Sequence, residues 1–344
     1  MPVFTTFPRA PVILLSCIIA VASPSAAMAD EWITTAGRDH PLVGRIIDVS
    51  TGREISERAL FERTAKAILL LLGEKHDNAD HYRLQARVLR SFARTRGAQP
   101  PALVMEMLNP AQIAPLRAHR KRLVNDVDGL RAILAWDRSG WPSWDIYRLL
   151  FAAAIADRIT LNAGNLPRSE IRGIGRNGYD AVSNANTRDY LATHPPGDTE
   201  RAAMRQSIIA SHCGHTSKGM VSGMISIQRA LDATMAQALI TAADASGAAV
   251  LVAGTGHIRS DRGVPRFLQG LDAGAHTLGI AFVEVRPGRD AAGDYSAIYG
   301  AERLPFDIAW FTPAVDFEDP CVKFRSALER IGRKSTAKPG NKQN

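Results

Sequence analysis

Cysteine is scarce in this chain, three residues in 344, and that excludes a small fold stapled by many disulfides. Only Cys213 and Cys321 lie beyond the leader described below, and in an oxidising compartment they form either one bridge or two buried thiols. After residue 22 no apolar run approaches the roughly 20 residues that a membrane-spanning helix needs. Internal repeats are missing too. A basic nucleic-acid face is also lacking. Lys and Arg outnumber Asp and Glu 42 to 34, but five of the basic residues and no acid fall from Arg330 onward, and Arg9 lies in the leader. Without those six, 36 basic residues face 34 acidic ones, with no basic helix and no aromatic-basic interleaving. Nucleic acid is therefore not an expected partner. What is present, 46% apolar and 22% charged residues, is a globular composition with enough apolar surface for a core.

The start of the chain reads as a secretory leader. Val12 to Ala22 is almost wholly apolar, and Ala27-Met28-Ala29 before Asp30 is a small-residue cleavage site, so residues 1–29 are assigned as a signal peptide. The alternative takes Leu14-Leu15-Ser16-Cys17 as a lipobox, with a lipoprotein signal ending before Cys17. The apolar run continues past Cys17 to Ala22, which favours cleavage after Ala29. Residues 30–329 are expected to form a single α/β domain with a helical subdomain at about 110–245, and residues 330–344 a disordered basic tail.

Leu42 to Val49, followed by Ser50-Thr51-Gly52, predicts a short hairpin or lead-in strand. Lys66 to Leu72 ends in four leucines before Gly73 and predicts a buried strand. Ala79 to Arg94 spaces Tyr82, Leu84, Val88, Leu89 and Phe92 as a helix does, and Pro101 to Glu106 is a second strand. Strand, helix, strand is a βα unit. Further helices are predicted over Val127–Trp136, Ile146–Ile159 and Met220–Ala243, and strands over Ile171–Ile174, Ala248–Ala253 and Leu278–Val285. Thr187 to Glu200, containing Pro195-Pro196-Gly197, reads as a mobile excursion; Pro287 to Pro320 has little periodicity. The sum is an α/β fold with a mixed or largely parallel central sheet, flanked by helices and carrying helical insertions.

Three of the apolar runs end in polar residues: Leu72 leads into Glu74 and His76, Val104 into Glu106, and Ala253 into His257. Open α/β sheets bind ligands at the carboxyl ends of their strands, so these four are expected as neighbours. Taken singly each is an ordinary loop-edge residue. Taken with Asp77, Asn78, His81 and Gln85 they form a polar cluster against four leucines, which must be networked, metal-bound or open to a cleft. Histidines with carboxylates suit Zn, Fe or Ni, and a single imidazole suits haem iron. The chain has no His-Glu-x-x-His helix, no Cys-x-x-Cys-His attachment site, no serine-hydrolase elbow and no phosphate-binding glycine loop. His212-Cys213-Gly214-His215 is read as a helix-end pair around a buried cysteine in preference to a metal clip. The glycines of Gly254-Thr255-Gly256-His257 let the backbone turn sharply or pass close to a ligand beside His257. Trp136, Trp141, Trp144 and Tyr147 crowd one short stretch, either as a wall for a flat ligand or as a helical-hairpin core.

In order along the chain, Gly73-Glu74-Lys75-His76-Asp77-Asn78 with His81 and Gln85, Glu106-Met107, Trp136 with Gly140-Trp141-Pro142 and Trp144 and Tyr147, Asn165-Leu166-Pro167-Arg168, Gln228 with Asp232 and Met235-Ala236, and Gly254-Thr255-Gly256-His257 with Asp261, Gly263, Val264 and Pro265 resemble the ChaN family of haem-binding bacterial lipoproteins. The resemblance runs from about Leu42 to Val285. It implies an α/β fold, export to the periplasm or attachment at the outer membrane, non-covalent haem binding linked to iron or haem uptake, a homodimer around stacked haems, and an outer-membrane uptake system as partner. The family is similar in turn to the TraB/Tiki group and to erythromycin esterases, in which the matching positions, here Glu74, His76, Glu106 and His257, are catalytic or metal-binding. Two positions depart from the family pattern: Tyr82 follows His81 where many relatives have a second histidine, and Arg148 stands where a proline is common.

Two readings follow. In the first the protein binds haem, with His76, His81 and Tyr82 as the ligating cluster, Trp141 and Trp144 as apolar walls, and Arg168 and Arg259 as partners of the propionates. In the second it is a metal-dependent hydrolase, with His76, His81 and His257 holding a divalent ion and Glu74, His76, Glu106 and His257 doing the acid-base work.

Overall fold

Four leucines and a glycine set the centre of the sheet. In a computed structural model describing residues 32–123, 126–271, 276–326 and 329, β3 (Leu69–Glu74) is buried along its whole length. It pairs in parallel with β6 (Ala249–Gly254) on one side and β7 (Thr277–Glu284) on the other. A strand covered on both faces has no solvent side, so its sequence is an unbroken apolar run. Outward from β6 lie β4 (Ala102–Met105) and the edge strand β5 (Thr160–Ala163), both parallel. Outward from β7 lie parallel β8 (Ile308–Thr312) and then the antiparallel hairpin of β1 (Ile46–Asp48) and β2 (Arg53–Ile55). The order is β2-β1-β8-β7-β3-β6-β4-β5, the mixed and largely parallel sheet expected.

Helices cover both faces. Among the described helices, α1 (Glu57–Thr64), α2 (Ala79–Arg94), α3 (Pro110–Leu123), α4 (Gly129–Ile133) and α5 (Trp144–Ala156) contribute to the core that holds Leu70, Leu72, Leu103 and Met105. The opposite core, around Leu69, Leu71, Val104 and Leu251, receives α6 (Arg168–Asn177), α7 (Ala185–Thr193), α9 (Lys218–Ser246) and α10 (Val264–Gly270). Helix α8 (Asp198–Ser211) precedes α9, and α11 (Pro320–Lys323) closes the described chain. Asn78 caps α2 by accepting from the amides of Asp80 and His81, and Gly247 ends α9 in the left-handed conformation at φ 74°. Because β6, late in sequence, inserts between β3 and β4, the carboxyl ends of these three strands adjoin. That is the position at which an open α/β sheet presents a crevice.

Several expectations change. Ile171 and Ile174 lie on α6 rather than on a strand: they are three residues apart on a helix, and the strand there is Thr160–Ala163. Thr187 to Glu200 is mostly helical, α7 and the start of α8, broken only around Pro195-Pro196-Gly197. The stretch from Pro287 to Pro320 contains β8, whose five residues are all buried and lie between Pro305 and Pro313. Cys213 and Cys321 form a disulfide, which resolves the choice left open by the sequence. The leader assigned to residues 1–29, the lipobox and the tail assigned to residues 330–344 lie outside the described residues.

Candidate functional site

Register determines which residues meet. Glu74 lies opposite Gly254 across β3 and β6, and the Glu106 amide bonds to Val252 on β6. Glu74, Glu106 and the turn Thr255–Ile258 therefore leave the sheet side by side. His76 Nδ1 is 2.6 Å from Glu74 Oε1, and His257 Nδ1 is 2.6 Å from Asp232 Oδ1. The other ring nitrogens both face Glu106 Oε1, His76 Nε2 at 3.9 Å and His257 Nε2 at 3.5 Å. Glu106 Oε2 accepts the Gly254 N–H at 2.7 Å. Two imidazoles, each held from behind by its own carboxylate, thus converge on a third carboxylate.

Burial penalises the Glu106 charge, but the His257 and His76 imidazoles and the Gly254 amide outweigh that penalty and hold its pKa down at about 2. Burial alone would lower both histidines; Glu74 and Glu106 reverse this for His76, and Glu106 and Asp232 reverse it for His257. Both therefore hold a proton more firmly than free histidine. Glu74 and Asp232 are pushed up by burial, against the pull of their histidines.

The surroundings explain local sequence choices. A Cβ at Gly254 would lie 3.2 Å from Cε1 and Nε2 of His76. The glycine gives space to that ring across the strand pair. Asn165 Nδ2 donates to the Glu106 carbonyl at 2.7 Å, and the Tyr147 hydroxyl donates to the His76 carbonyl at 3.1 Å. Trp141 meets the His76 ring edge-on, with centroids 4.9 Å apart, and its indole N–H donates to the Met107 carbonyl. Asp232 was given no role by the sequence reading, and neither was Gln228, whose amide lies 2.9 Å from His257 Nδ1. Their signal was a polar pair at i and i+4 on a long, mostly apolar helix.

Four expected site residues lie elsewhere. His81 is fully buried and both its nitrogens are engaged: Nδ1 accepts the Lys75 amide at 2.9 Å and Nε2 meets Thr312 Oγ1 at 2.9 Å. Burial, with the Lys75 charge, lowers its pKa to about 3. Tyr82 is equally sealed, its ring 4.2 Å from that of Tyr147. Asn78 starts α2 so that His81 turns to Thr312 on β8, while the buried Tyr82 phenol, its pKa pushed well up by burial and by the Glu74 charge, lies against Glu74 and Tyr147. Trp144 is core, stacked on Phe151 and edge-on to Trp136, so the helical-hairpin alternative holds for it. Arg259 is buried in a two-bond pair with Asp261. Arg168 is exposed and reaches the Ser139 carbonyl beside Trp141.

Among the described residues no group of three or more His, Cys, Asp and Glu side chains is disposed to hold a metal ion, so the metal-dependent hydrolase finds no support. His81 is fully buried, with both ring nitrogens engaged, and cannot join His76 and His257. The disulfide likewise removes Cys213 from any clip with His212 and His215.

A sequence profile described as "Haem-binding uptake, Tiki superfamily, ChaN" matches residues 60–268, more than half of the chain. Among solved structures, one described as "Cofacial heme binding to ChaN of Campylobacter jejuni" is similar with a TM-score of 0.60 at 20% identity, covering 77% of this chain and 95% of that one. The type III effector HopBA1 aligns at 14% identity over 74% of this chain and 91% of its own, with a TM-score of 0.41. No curated protein matches.

Proposed function

Because the chain belongs to the ChaN family of haem-binding uptake proteins, in the Tiki superfamily, we propose that it holds haem at the open rim of this site, with the iron facing His76 Nε2. One observation carries the placement. Of His76, His81 and Tyr82, only His76 is open, with 37% of its side chain exposed and Nε2 directed away from its carboxylate anchor. An imidazole whose Nδ1–H is donated to a carboxylate is a fixed and more basic ligand through Nε2. Trp141 stands beside it and, with Met107, Ile133, Arg138, Arg168 and Ile171, lines an adjoining recess of about 560 Å³ whose lining does not include His76 itself. That volume is ordinary for a small-molecule site, and its mix of apolar walls with two arginines suits a flat apolar ring that carries carboxylates. Haem, when bound, supplies an iron with axial positions to fill and two propionates. Arg168 and Arg138 are placed for the propionates; Arg259, committed to Asp261, is not.

The cofacial binding named for the Campylobacter jejuni protein involves more than one haem. For a site in which His76 is the open imidazole, a homodimer is the simplest source of a second, and we extend that arrangement here. Export rests on the leader motif at Val12 to Ala29 and on the Cys213–Cys321 bridge, which persists in oxidising compartments. We place the protein in the periplasm, supplying or receiving haem from an outer-membrane uptake system; no described helix is long and apolar enough to cross a membrane. Titration with ferric haem, followed at the Soret band, tests the site. Saturation at one haem per chain, weakened at least tenfold by His76→Ala and unchanged by Tyr82→Phe, is expected. Binding indifferent to His76→Ala and abolished by Tyr82→Phe overturns it.

A further inference from the structure

Helix α9 is longer than the sheet it covers. Only Gly247 and Ala248 separate it from β6, so the two run antiparallel and side by side. From Ser246 back to Asp232 the helix rises about 21 Å. The six residues of β6 span about 20 Å, which is why Asp232 meets His257 just past the carboxyl end of that strand. The earlier turns of α9, from Lys218 to Leu231, overhang the site by a similar distance.

The top of that overhang is fastened back to the turn that carries His76. Beyond β8 the chain is rooted there: Glu284 Oε1 accepts the Val315 amide at 3.0 Å and Asn78 Nδ2 at 2.9 Å, with Lys75 Nζ 3.4 Å away. Lys323 reaches back to Asp316, next to Val315, and Cys321 bridges to Cys213 at the corner between α8 and α9. Cys321 and Lys323 are two residues apart on α11, about 200° around its axis, so one side of α11 holds the corner and the opposite side holds the root beside Lys75. Along the sheet α11 is rooted on the β7 and β8 side of His76, whereas Trp141, bonded to Met107 beyond β4, flanks His76 on the other. Phe324, which follows α11, is 54% exposed, and its ring lies 6.0 Å from Lys323 Nζ, on the side of the root.

We propose that α11 is the second wall of the haem site, facing Trp141 across His76, with the exposed Phe324 ring laid on the porphyrin and the Cys213–Cys321 bridge fixing the wall in place. The inference rests on the haem reading given above. A flat apolar ligand on His76 Nε2 has Trp141 on one side, and Phe324 supplies the apolar contact on the other, which haem would bury.

Transfer of ferric haem from the loaded full-length chain to excess apomyoglobin, followed at the Soret band, measures release. Phe324→Ser should speed release at least tenfold, and Val322→Ser, on the far side of α11, should leave it unchanged. Cys213→Ser and Cys321→Ser together unfasten α11 and should also speed release at least tenfold, at a temperature where circular dichroism shows the variant folded. In the chain labelled with 4-fluorophenylalanine, the resonance missing from Phe324→Ser should broaden as one equivalent of ferric haem is added. A wild type that takes up no haem refutes the reading of the His76 site, and the wall with it. Haem held through His76 but released from Phe324→Ser at the wild-type rate, with the Phe324 resonance left sharp, overturns the wall alone.

Discussion

His81→Gln separates a structural histidine from an iron ligand by its pH dependence alone. The folded protein holds His81 neutral down to about pH 3, because the ring is buried with the Lys75 charge close by. An unfolded histidine titrates near 6.5. Above pH 6.5 neither state binds the proton and the group contributes nothing to the pH slope. As pH falls through 6.5 the unfolded chain takes up a proton that the folded chain refuses, and stability drops until about pH 3, where the folded form is protonated too. Two units below 6.5, at pH 4.5, the loss is about 2.7 kcal/mol at 1.36 kcal/mol per unit. At pH 7.5 His81→Gln loses hydrogen bonds to Lys75 and Thr312 and costs about 1–3 kcal/mol. Urea unfolding of both proteins at the two pH values reads the difference, in which the other titrating groups cancel. The gap should close by about 2.7 kcal/mol at pH 4.5. A gap that stays constant means that His81 titrates like an open histidine, and the argument for its structural role fails.

Glu74→Gln removes the charge behind His76, so its pKa should fall and haem affinity drop about 10- to 100-fold; unchanged affinity in a Soret titration contradicts the anchor. In the wild type, proton and iron compete for His76 Nε2, and its raised pKa means that haem affinity climbs with pH until that proton is lost; a profile flat between pH 5 and 9 counts against the assigned ligand. Gly254→Ala places a methyl 3.2 Å from the His76 ring. It should weaken haem binding while costing no more than about 1–3 kcal/mol of stability, and a variant with normal haem binding removes the close-approach explanation. Opening the Cys213–Cys321 bridge, which closes a separation of 108 residues, should cost about 3–5 kcal/mol; denaturation midpoints equal with and without dithiothreitol contradict it.

The parallel core was legible because buried strands cannot hide their pattern: Leu69–Leu72, Leu103–Met105 and Val250–Ala253 read as strands from composition alone. Their carboxyl ends predicted the meeting of Glu74, His76, Glu106 and His257 without reference to tertiary structure. β5 and β8 were missed for opposite reasons. The first is a half-buried edge of four residues with weak alternation, and the second is a short buried run inside a proline-rich stretch. The inward turn of His81 and Tyr82 was not legible, since helical spacing states which residues share a face but not which face meets the sheet. Asp232 was invisible as a partner of His257 because only the fold brings α9 beneath the turn after β6.

Nitrogen NMR of the protein labelled with ¹⁵N-histidine, recorded as ferric haem is added, reads each ring nitrogen in place. The account predicts that the resonances of His76, identified by their loss in His76→Ala, broaden beyond detection at one equivalent of haem while those of His81 persist. Paramagnetic loss of the His81 signals with His76 left sharp would contradict it.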